Sequence, residues 1–190
     1  MDAAKKLDKV RIDRSLVDVH RNPRSSETVW GYVSAVGKKW ALIANARDGG
    51  YPDGFTAIRL KDVIAVRRRA GFEDAFAKTR TDWPESPLHL DLDSTRGLLE
   101  SAPTRGRLIA IERERKLEDA MWVGVPVLID KRWTWMHEVD ADAAWREEPL
   151  AYRTTSITRV TWGDSYLCAL EAVLPARPDV GVVATKRLRD

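Results

Sequence analysis

The strongest constraint on the fold of this chain is a segment that occurs twice. Residues 31–40 (GYVSAVGKKW) return as residues 124–133 (GVPVLIDKRW), so that Gly31 recurs at position 124 and Trp40 at position 133. The apolar residues keep their places along the segment, which is typical of duplication of a whole folded unit rather than of a short solenoid repeat. A chain of 190 residues has room for two small domains. We therefore expect the same small β-rich unit twice.

Alternation of apolar and polar residues between turn residues predicts five strands in each unit. In the first unit they cover residues 15–20, 29–36, 39–45, 55–60 and 63–67. In the second unit they cover residues 107–112, 122–129, 133–138, 150–154 and 157–162. A short helix is expected before each unit, over residues 2–13 and after an N-cap at Asp93 or Ser94. Another short helix is expected after each unit, from Phe72 and from Asp164.

Five short strands joined by tight turns favour a small, strongly bent antiparallel barrel. The sequence therefore predicts a mainly β protein made of two tandem five-stranded barrels of Sm-like or SH3-like topology, each with short flanking helices. We place the first barrel at residues 1–80 and the second at residues 92–174. A proline-containing linker over residues 81–91 and a flexible tail over residues 175–190 complete this organisation.

The order of one helix followed by five strands resembles the Sm-like and SH3-like barrels. No Arg-Gly pair follows Ile58 or Ile64, so this resemblance covers topology and not the ligand chemistry of Sm proteins. More closely, residues 38–42, 53–63 and 92–99 look like a family of bacterial tandem small-barrel proteins of unassigned function. That resemblance runs over about 160 residues, from Val10 to Val173. It implies the fold and no activity.

Composition indicates the setting in which the protein works. The chain is 44% hydrophobic and 32% charged, as soluble globular proteins are. It has no apolar run of the ~18 residues that a membrane helix needs, and its first residues lack a signal-peptide core. A single cysteine, Cys168, excludes an internal disulfide. We expect a reducing, cytoplasmic location without membrane association, and we interpret Cys168 as a core thiol.

The charge of the chain is unevenly distributed between its two halves. Residues 1–80 contain 17 Lys and Arg against 10 Asp and Glu, whereas residues 81–190 contain 15 against 19. The first half therefore carries +7 and the second −4, which together give the net charge of +3. This asymmetry favours either an anionic partner for the first unit or head-to-tail pairing between chains. The alternative is a solvated surface without a role in recognition.

The densest positive run follows the fifth predicted strand. It is joined by other cations of the first unit in a candidate nucleic-acid site, which consists of Arg21, Arg24, Lys38, Lys39, Arg67, Arg68 and Arg69. On one rim of the first barrel these side chains would neutralise the phosphates of RNA or single-stranded DNA. The alternative is a strand end whose charges keep a sheet edge from aggregating. The second unit has residues 161–163 (TWG) in the corresponding place, which weakens the nucleic-acid hypothesis.

Tryptophans of the second unit form a candidate partner-binding site. Its residues are Trp122, Trp133, Trp135, Trp145 and Trp162. Aromatic clusters of this kind are frequent hot spots in protein interfaces. The alternative is that these side chains fill the core of the barrel and cover its end.

No motif in the chain assigns a catalytic residue, a cofactor-binding residue or a metal ligand. The carboxylates that follow His137 lack the spacing of a zinc or calcium site. Glu112, Glu114 and Asp119 are interpreted as surface charges. We therefore predict a non-catalytic binding module without a cofactor. It would recognise a protein partner, or associate with itself, through sheet edges or an aromatic face. The alternative is nucleic-acid binding by the basic rim.

Overall fold

The computed structural model describes residues 2–80, 89–102 and 107–180. In the first half, the elements are α1 (Ala3–Ile12), β1 (Leu16–Arg21), β2 (Val29–Val36), β3 (Trp40–Arg47), β4 (Tyr51–Arg59), β5 (Val63–Arg68) and α2 (Phe72–Thr79). In the second half, they are α3 (Thr95–Ser101), β6 (Ile109–Glu112), β7 (Met121–Ile129), β8 (Trp133–Val139), β9 (Leu150–Arg153), β10 (Arg159–Trp162) and α4 (Ser165–Val173). Most of the predicted linker, and residues 181–190 of the predicted tail, lie outside the described residues.

The described strands form one antiparallel sheet with the order β5-β1-β2-β3-β4-β10-β6-β7-β8-β9. The prediction of a mainly β fold is confirmed. The prediction of two closed barrels of Sm-like or SH3-like topology is not confirmed. The sheet is continuous and does not close, because β4 of the first half pairs with β10 of the second. Strands β5 and β9 lie at its two ends.

The two halves use the same strand order and the same register. Val17 lies opposite Gly31 in the first half, and Ile109 lies opposite Gly124 in the second. Strand β2 has an irregularity between Val33 and Ala35, and β7 has one at the corresponding place between Pro126 and Leu128. These correspondences follow the offset of the sequence repeat. Descent of both halves from one duplicated segment stays a prediction.

Gly31 and Gly124 show why the repeat keeps a glycine at the start of its second strand. A Cβ atom at Gly31 would lie 2.1 Å from the carbonyl oxygen of Ala44, and one at Gly124 would lie 2.3 Å from that of His137. Both distances are too short for any side chain. The neighbouring strand therefore passes too close to tolerate a side chain at either position.

The largest hydrophobic cluster is built from both halves of the chain. Trp40, Leu42 and Ala57 of the first half pack in one cluster with the following residues of the second half: Leu98, Ile109, Ile111, Met136, Tyr152, Ile157, Val160 and Trp162. Separate clusters lie beneath α1 and beneath α4. The shared cluster explains why the halves form one sheet, because the apolar area that each would expose alone is buried at their junction.

Several local predictions can be compared with the structure. Ser94 caps α3, its side chain accepting a hydrogen bond from the backbone N–H of Gly97 at 2.8 Å. This confirms one of the two predicted N-caps. The interpretation of Cys168 as a core thiol is wrong, because the thiol is exposed. Leu167 and Leu170 form the buried side of α4, and Cys168 lies between them in sequence on the opposite side.

Candidate protein-binding edges of the sheet

Within residues 2–80, 89–102 and 107–180, strand β5 has a partner strand on one side only. On that side it pairs with β1, with Asp18 opposite Arg67, and the N–H of Arg69 donates to the carbonyl of Leu16 at 2.8 Å. Hydrogen-bonding residues alternate along an antiparallel strand. Arg67 and Arg69 therefore direct their backbone groups toward β1, whereas Val66 and Arg68 direct theirs away from the sheet.

Strand β9 has the same property at the other end of the sheet. It pairs with β8, with Trp133 opposite Arg153, and the N–H of Thr154 donates to the carbonyl of Arg132 at 2.9 Å. By the same alternation, the backbone N–H and C=O of Ala151 point away from β8. Each end of the sheet thus presents backbone groups that another strand can bind. We call β5 and β9 the two free edges.

The side chains around the free edges differ in chemistry. Ile64 occupies an irregularity in the pairing of β1 with β5, and 48% of its side chain is exposed. Arg67 and Arg68 follow on the same strand and are exposed. The other edge is preceded by Glu147 and Glu148, which are exposed as well. One edge is therefore apolar and basic, and the other begins with acidic residues.

The junction of β4 with β10 shows how this chain pairs two such edges. Ala57 lies opposite Val160, and Thr56 lies opposite Thr161 with their hydroxyl oxygens 3.0 Å apart. The rings of Phe55 and Trp162 stack with their centroids 6.0 Å apart. Strand addition across an edge is thus already used once inside the molecule.

A buried ion pair connects the two halves beside this junction. The guanidinium of Arg21 donates to both carboxylate oxygens of Glu114, each at 2.7 Å. The hydroxyl of Thr158 donates to the same carboxylate at 2.9 Å. Both charged side chains are almost completely buried. Arg21 is therefore part of the junction and is not accessible to a phosphate, in contrast to its place in the predicted nucleic-acid site. The interpretation of Glu114 as a surface charge is wrong for the same reason.

Glu112 lies close to this ion pair and is also largely buried. Burial raises the pKa of Glu112 to about 7, and the negative charge of Glu114 adds to the increase. The guanidinium of Arg159, 3.3 Å away, acts in the opposite direction but does not outweigh the loss of hydration. Glu112 is therefore a group whose charge changes near neutral pH.

A second carboxylate at the junction is shared by two arginines. Asp62 accepts a hydrogen bond from Nε of Arg59 at 2.6 Å and one from Nε of Arg115 at 3.1 Å. Arg59 also donates to the backbone carbonyl of Thr155 at 3.0 Å. The contacts of Asp62 and Glu114 between the two halves are not identifiable from sequence, since Arg115 lies 53 residues from Asp62 and Arg21 lies 93 residues from Glu114.

The predicted basic rim is not one continuous surface. Lys38 pairs with Asp93 at 2.9 Å, and the carbonyl of Lys39 accepts from the N–H of Leu60, ahead of β5. Arg68 and Arg69 lie at the far end of β5, roughly 20 Å away for a strand of six residues. The two groups of cations are thus separated by the length of a strand.

Two of the four remaining cations of the rim, Arg68 and Arg69, have acidic or aromatic partners. Arg68 pairs with Asp13, and the guanidinium of Arg69 lies 4.6 Å from the ring centroid of Trp30. Among the described residues, Arg24 and Arg67 are exposed and have no carboxylate partner. These two line one shallow pocket of about 270 Å³ together with His20.

The five predicted partner-binding tryptophans do not form one exposed face. Trp135 and Trp162 are only 4% and 6% exposed, so they belong to the core. Trp122 packs against Tyr152, with ring centroids 5.3 Å apart. The other two lie in separate places.

The positions of those two tryptophans are set by local contacts. Trp145 packs against the buried ring of His137 at 4.8 Å and donates from Nε1 to the carbonyl of Pro175 at 2.9 Å. The ring of Trp133 lies 5.5 Å from the guanidinium of Arg153.

Within ranges 2–80, 89–102 and 107–180, no three His, Cys, Asp or Glu side chains are grouped as metal ligands would be.

Comparisons of the chain with protein-family models, with curated proteins and with solved structures find no match. None of the helices in the described part of the chain has the length and apolar character required to cross a lipid bilayer. The resemblance to bacterial tandem small-barrel proteins is therefore still a prediction. Inference about function depends on the two free edges and on the chemistry around them.

Proposed function

We propose that this protein is a non-catalytic binding module that recognises a protein partner by strand addition at the free edges of its sheet. The observation that carries the proposal is the outward direction of the backbone groups of Val66 and Ala151. An extended segment of a partner would exchange main-chain hydrogen bonds with either edge. The exposed side chain of Ile64 would add apolar contact, and the charges beside each edge would select the partner.

The proposal is tested with a variant that blocks one edge. Val66→Pro removes an N–H group that does not bond to β1, so β5 keeps its pairing within the sheet while the free edge loses a donor. Val66→Thr retains this donor and serves as the matched control. Tagged full-length chains capture proteins from nuclease-treated native lysate. We expect the wild type and Val66→Thr to retain the same protein and Val66→Pro to lose it. Equal recovery by all three, with melting temperatures that show folded variants, would exclude edge recognition at β5.

Nucleic-acid binding is the second candidate, supported by the shared pocket of Arg24 and Arg67. Phosphate binding at this pocket predicts affinity for mixed oligonucleotides that falls steeply with salt. The double variant Arg24→Ser/Arg67→Ser should abolish it. The control Lys131→Ser/Arg132→Ser removes the same amount of charge from exposed positions of the second half. Absence of binding at low salt would exclude this function.

A further inference from the structure

The two free edges correspond to the two strands that pair at the junction. Strand β5 has the same place in the first half that β10 has in the second, next to the first strand of its unit. Strand β9 has the place in the second half that β4 has in the first. A second junction of the same kind would therefore place β9 of one copy against β5 of another.

The register of this second junction follows from the first. Trp40 and Trp133 are equivalent residues of the repeat. Trp40 lies opposite Arg59 and Trp133 lies opposite Arg153, so each residue of β9 corresponds to the residue of β4 that is 94 positions earlier. Asp18 lies opposite Arg67, and its equivalent Ala110 lies opposite Thr161. Each residue of β10 therefore corresponds to the residue of β5 that is 94 positions earlier. The junction pair of Ala57 and Val160 then becomes Ala151 and Val66.

The hydrogen-bonding directions agree with this register independently of the offset. Val66 and Ala151 are the residues whose backbone groups point outward from the two edges. At the existing junction, the backbone N–H of Arg59 donates to the carbonyl of Thr158, which lies directly opposite. Because hydrogen-bonded pairs alternate along an antiparallel ladder, Ala57 and Val160 are also a hydrogen-bonded pair. A register shifted by one residue would place inward-facing groups opposite outward-facing ones.

Charge also agrees with this pairing. In this register Leu150 lies opposite Arg67, which brings Glu148, two residues before β9, toward the end of β5 that carries Arg68 and Arg69. The half that contains β5 carries +7, and the half that contains β9 carries −4. Opposite charges attract in this orientation, whereas pairing of two β5 edges would bring like charges together.

We propose that copies of this chain associate head to tail, with β9 of one copy paired antiparallel to β5 of the next. In this joint Val66 lies opposite Ala151, and Arg67 lies opposite Leu150. The inference rests on the proposed function, since it names a second copy of the chain as the partner of the same edges. A head-to-tail joint uses different surfaces on the two copies, so it produces a closed ring or a fibre.

Cysteine cross-linking tests both the partner and the register. In a Cys168→Ser background, one full-length chain carries Arg67→Cys and a second, differently tagged chain carries Leu150→Cys. The corresponding side chains at the existing junction, Thr161 and Thr56, contact each other at 3.0 Å, which is suitable for a disulfide. We expect the mixture to form the mixed disulfide under mild oxidation and each variant alone to form none. Ala65→Cys mixed with Leu150→Cys, two residues out of register, should react several-fold less.

Two further measurements complete the test. Light scattering of the wild-type chain should give a mass of two or more copies that decreases as salt rises. Glu148→Arg should weaken the assembly, and mixing it with Arg69→Glu chains should restore it. Circular dichroism and melting curves establish that each variant is folded.

The outcomes separate this inference from the proposed function. The self-association is overturned if the wild-type chain stays monomeric and the mixture of Arg67→Cys and Leu150→Cys chains forms no disulfide. If Val66→Pro still abolishes capture of a different protein, the binding module stands without it. Strong cross-linking of the Arg67→Cys variant with itself would indicate β5 pairing with β5 and would also overturn the head-to-tail joint. Loss of both self-association and edge-dependent capture removes both proposals.

Discussion

Arg21 and Glu114 form a bidentate ion pair at 2.7 Å that joins the first half of the chain to the second. Neither side chain reaches solvent. Removal of one partner leaves a buried charge with fewer bonds, which is far more costly than loss of an exposed pair. We therefore expect the pair to contribute to the stability of the contact between the two halves.

Arg21→Met should lower the free energy of unfolding by about 3–5 kcal/mol, because the carboxylate of Glu114 then lacks its buried counter-charge. Urea unfolding followed by tryptophan fluorescence measures the change. Arg24→Met removes an exposed arginine from the same segment and should change stability by less than about 0.5 kcal/mol. Similar losses in the two variants would contradict the structural role of the ion pair. The double variant Arg21→Met/Glu114→Leu should regain much of the stability.

Glu112 predicts a specific pH dependence of stability. Its pKa rises from the ordinary value of 4.5 to about 7 on folding, so the folded state binds a proton more tightly than the unfolded state. The stabilisation is complete below pH 4.5 and is lost as pH rises through 7, with a total of at most about 3 kcal/mol. The difference in unfolding free energy between the wild type and Glu112→Gln, measured in urea from pH 4 to pH 8, should follow this curve. A constant difference across that range would show that the carboxyl group does not titrate as described.

Gly31→Ala should destabilise the sheet by about 3 kcal/mol or more, because its Cβ would overlap the carbonyl of Ala44. Gly124→Ala should behave in the same way toward His137. Ser34→Ala, on the same strand as Gly31 and only partly buried, is the control and should have little effect. Thermal unfolding compares the three. A tolerated alanine at Gly31 would mean that β2 and β3 are farther apart than described.

Trp162→Ala tests whether this tryptophan is part of the core or of a binding surface. Its ring stacks on Phe55 at the junction and is almost fully buried, so we expect a loss of about 3–5 kcal/mol in unfolding free energy. Trp122→Ala, whose side chain is less buried, should cost less. Denaturant unfolding distinguishes the two positions. A stable Trp162→Ala protein that had lost a binding partner would restore the aromatic face as a candidate site.

The local elements were predictable because side-chain periodicity reports the faces of a strand. Strand β2 covers the predicted residues 29–36, and β5 extends one residue beyond the predicted 63–67. Strand β4 begins at Tyr51, earlier than predicted, because the chain reverses within residues 48–50, where Gly49 and Gly50 adopt positive φ, and the strand resumes at once. Turn residues thus indicate where a chain reverses, but not how many residues the reversal uses.

The candidate sites were less predictable, because exposure depends on neighbours that are distant in sequence. Arg21 and Arg67 look alike in a charged sequence, yet only Arg67 is exposed. Trp133 and Trp135 lie two residues apart on β8 and both belong to the predicted partner-binding site, yet Trp135 is only 4% exposed whereas Trp133 is partly exposed. No local pattern distinguishes a surface tryptophan from one that packs between two units.

The amino-acid sequence by itself determined the type of each element and the twofold recurrence of their order. These properties depend on residues close together in the chain, whose periodicity and turn chemistry act locally. Only the tertiary structure decided that the two units share one sheet and one core. The pairing of Thr56 with Thr161 spans 105 residues, and such contacts depend on which backbone groups and apolar faces remain unsatisfied after each unit has formed. In the same way, only the tertiary structure decided that β5 and β9 lie at the two ends of the sheet.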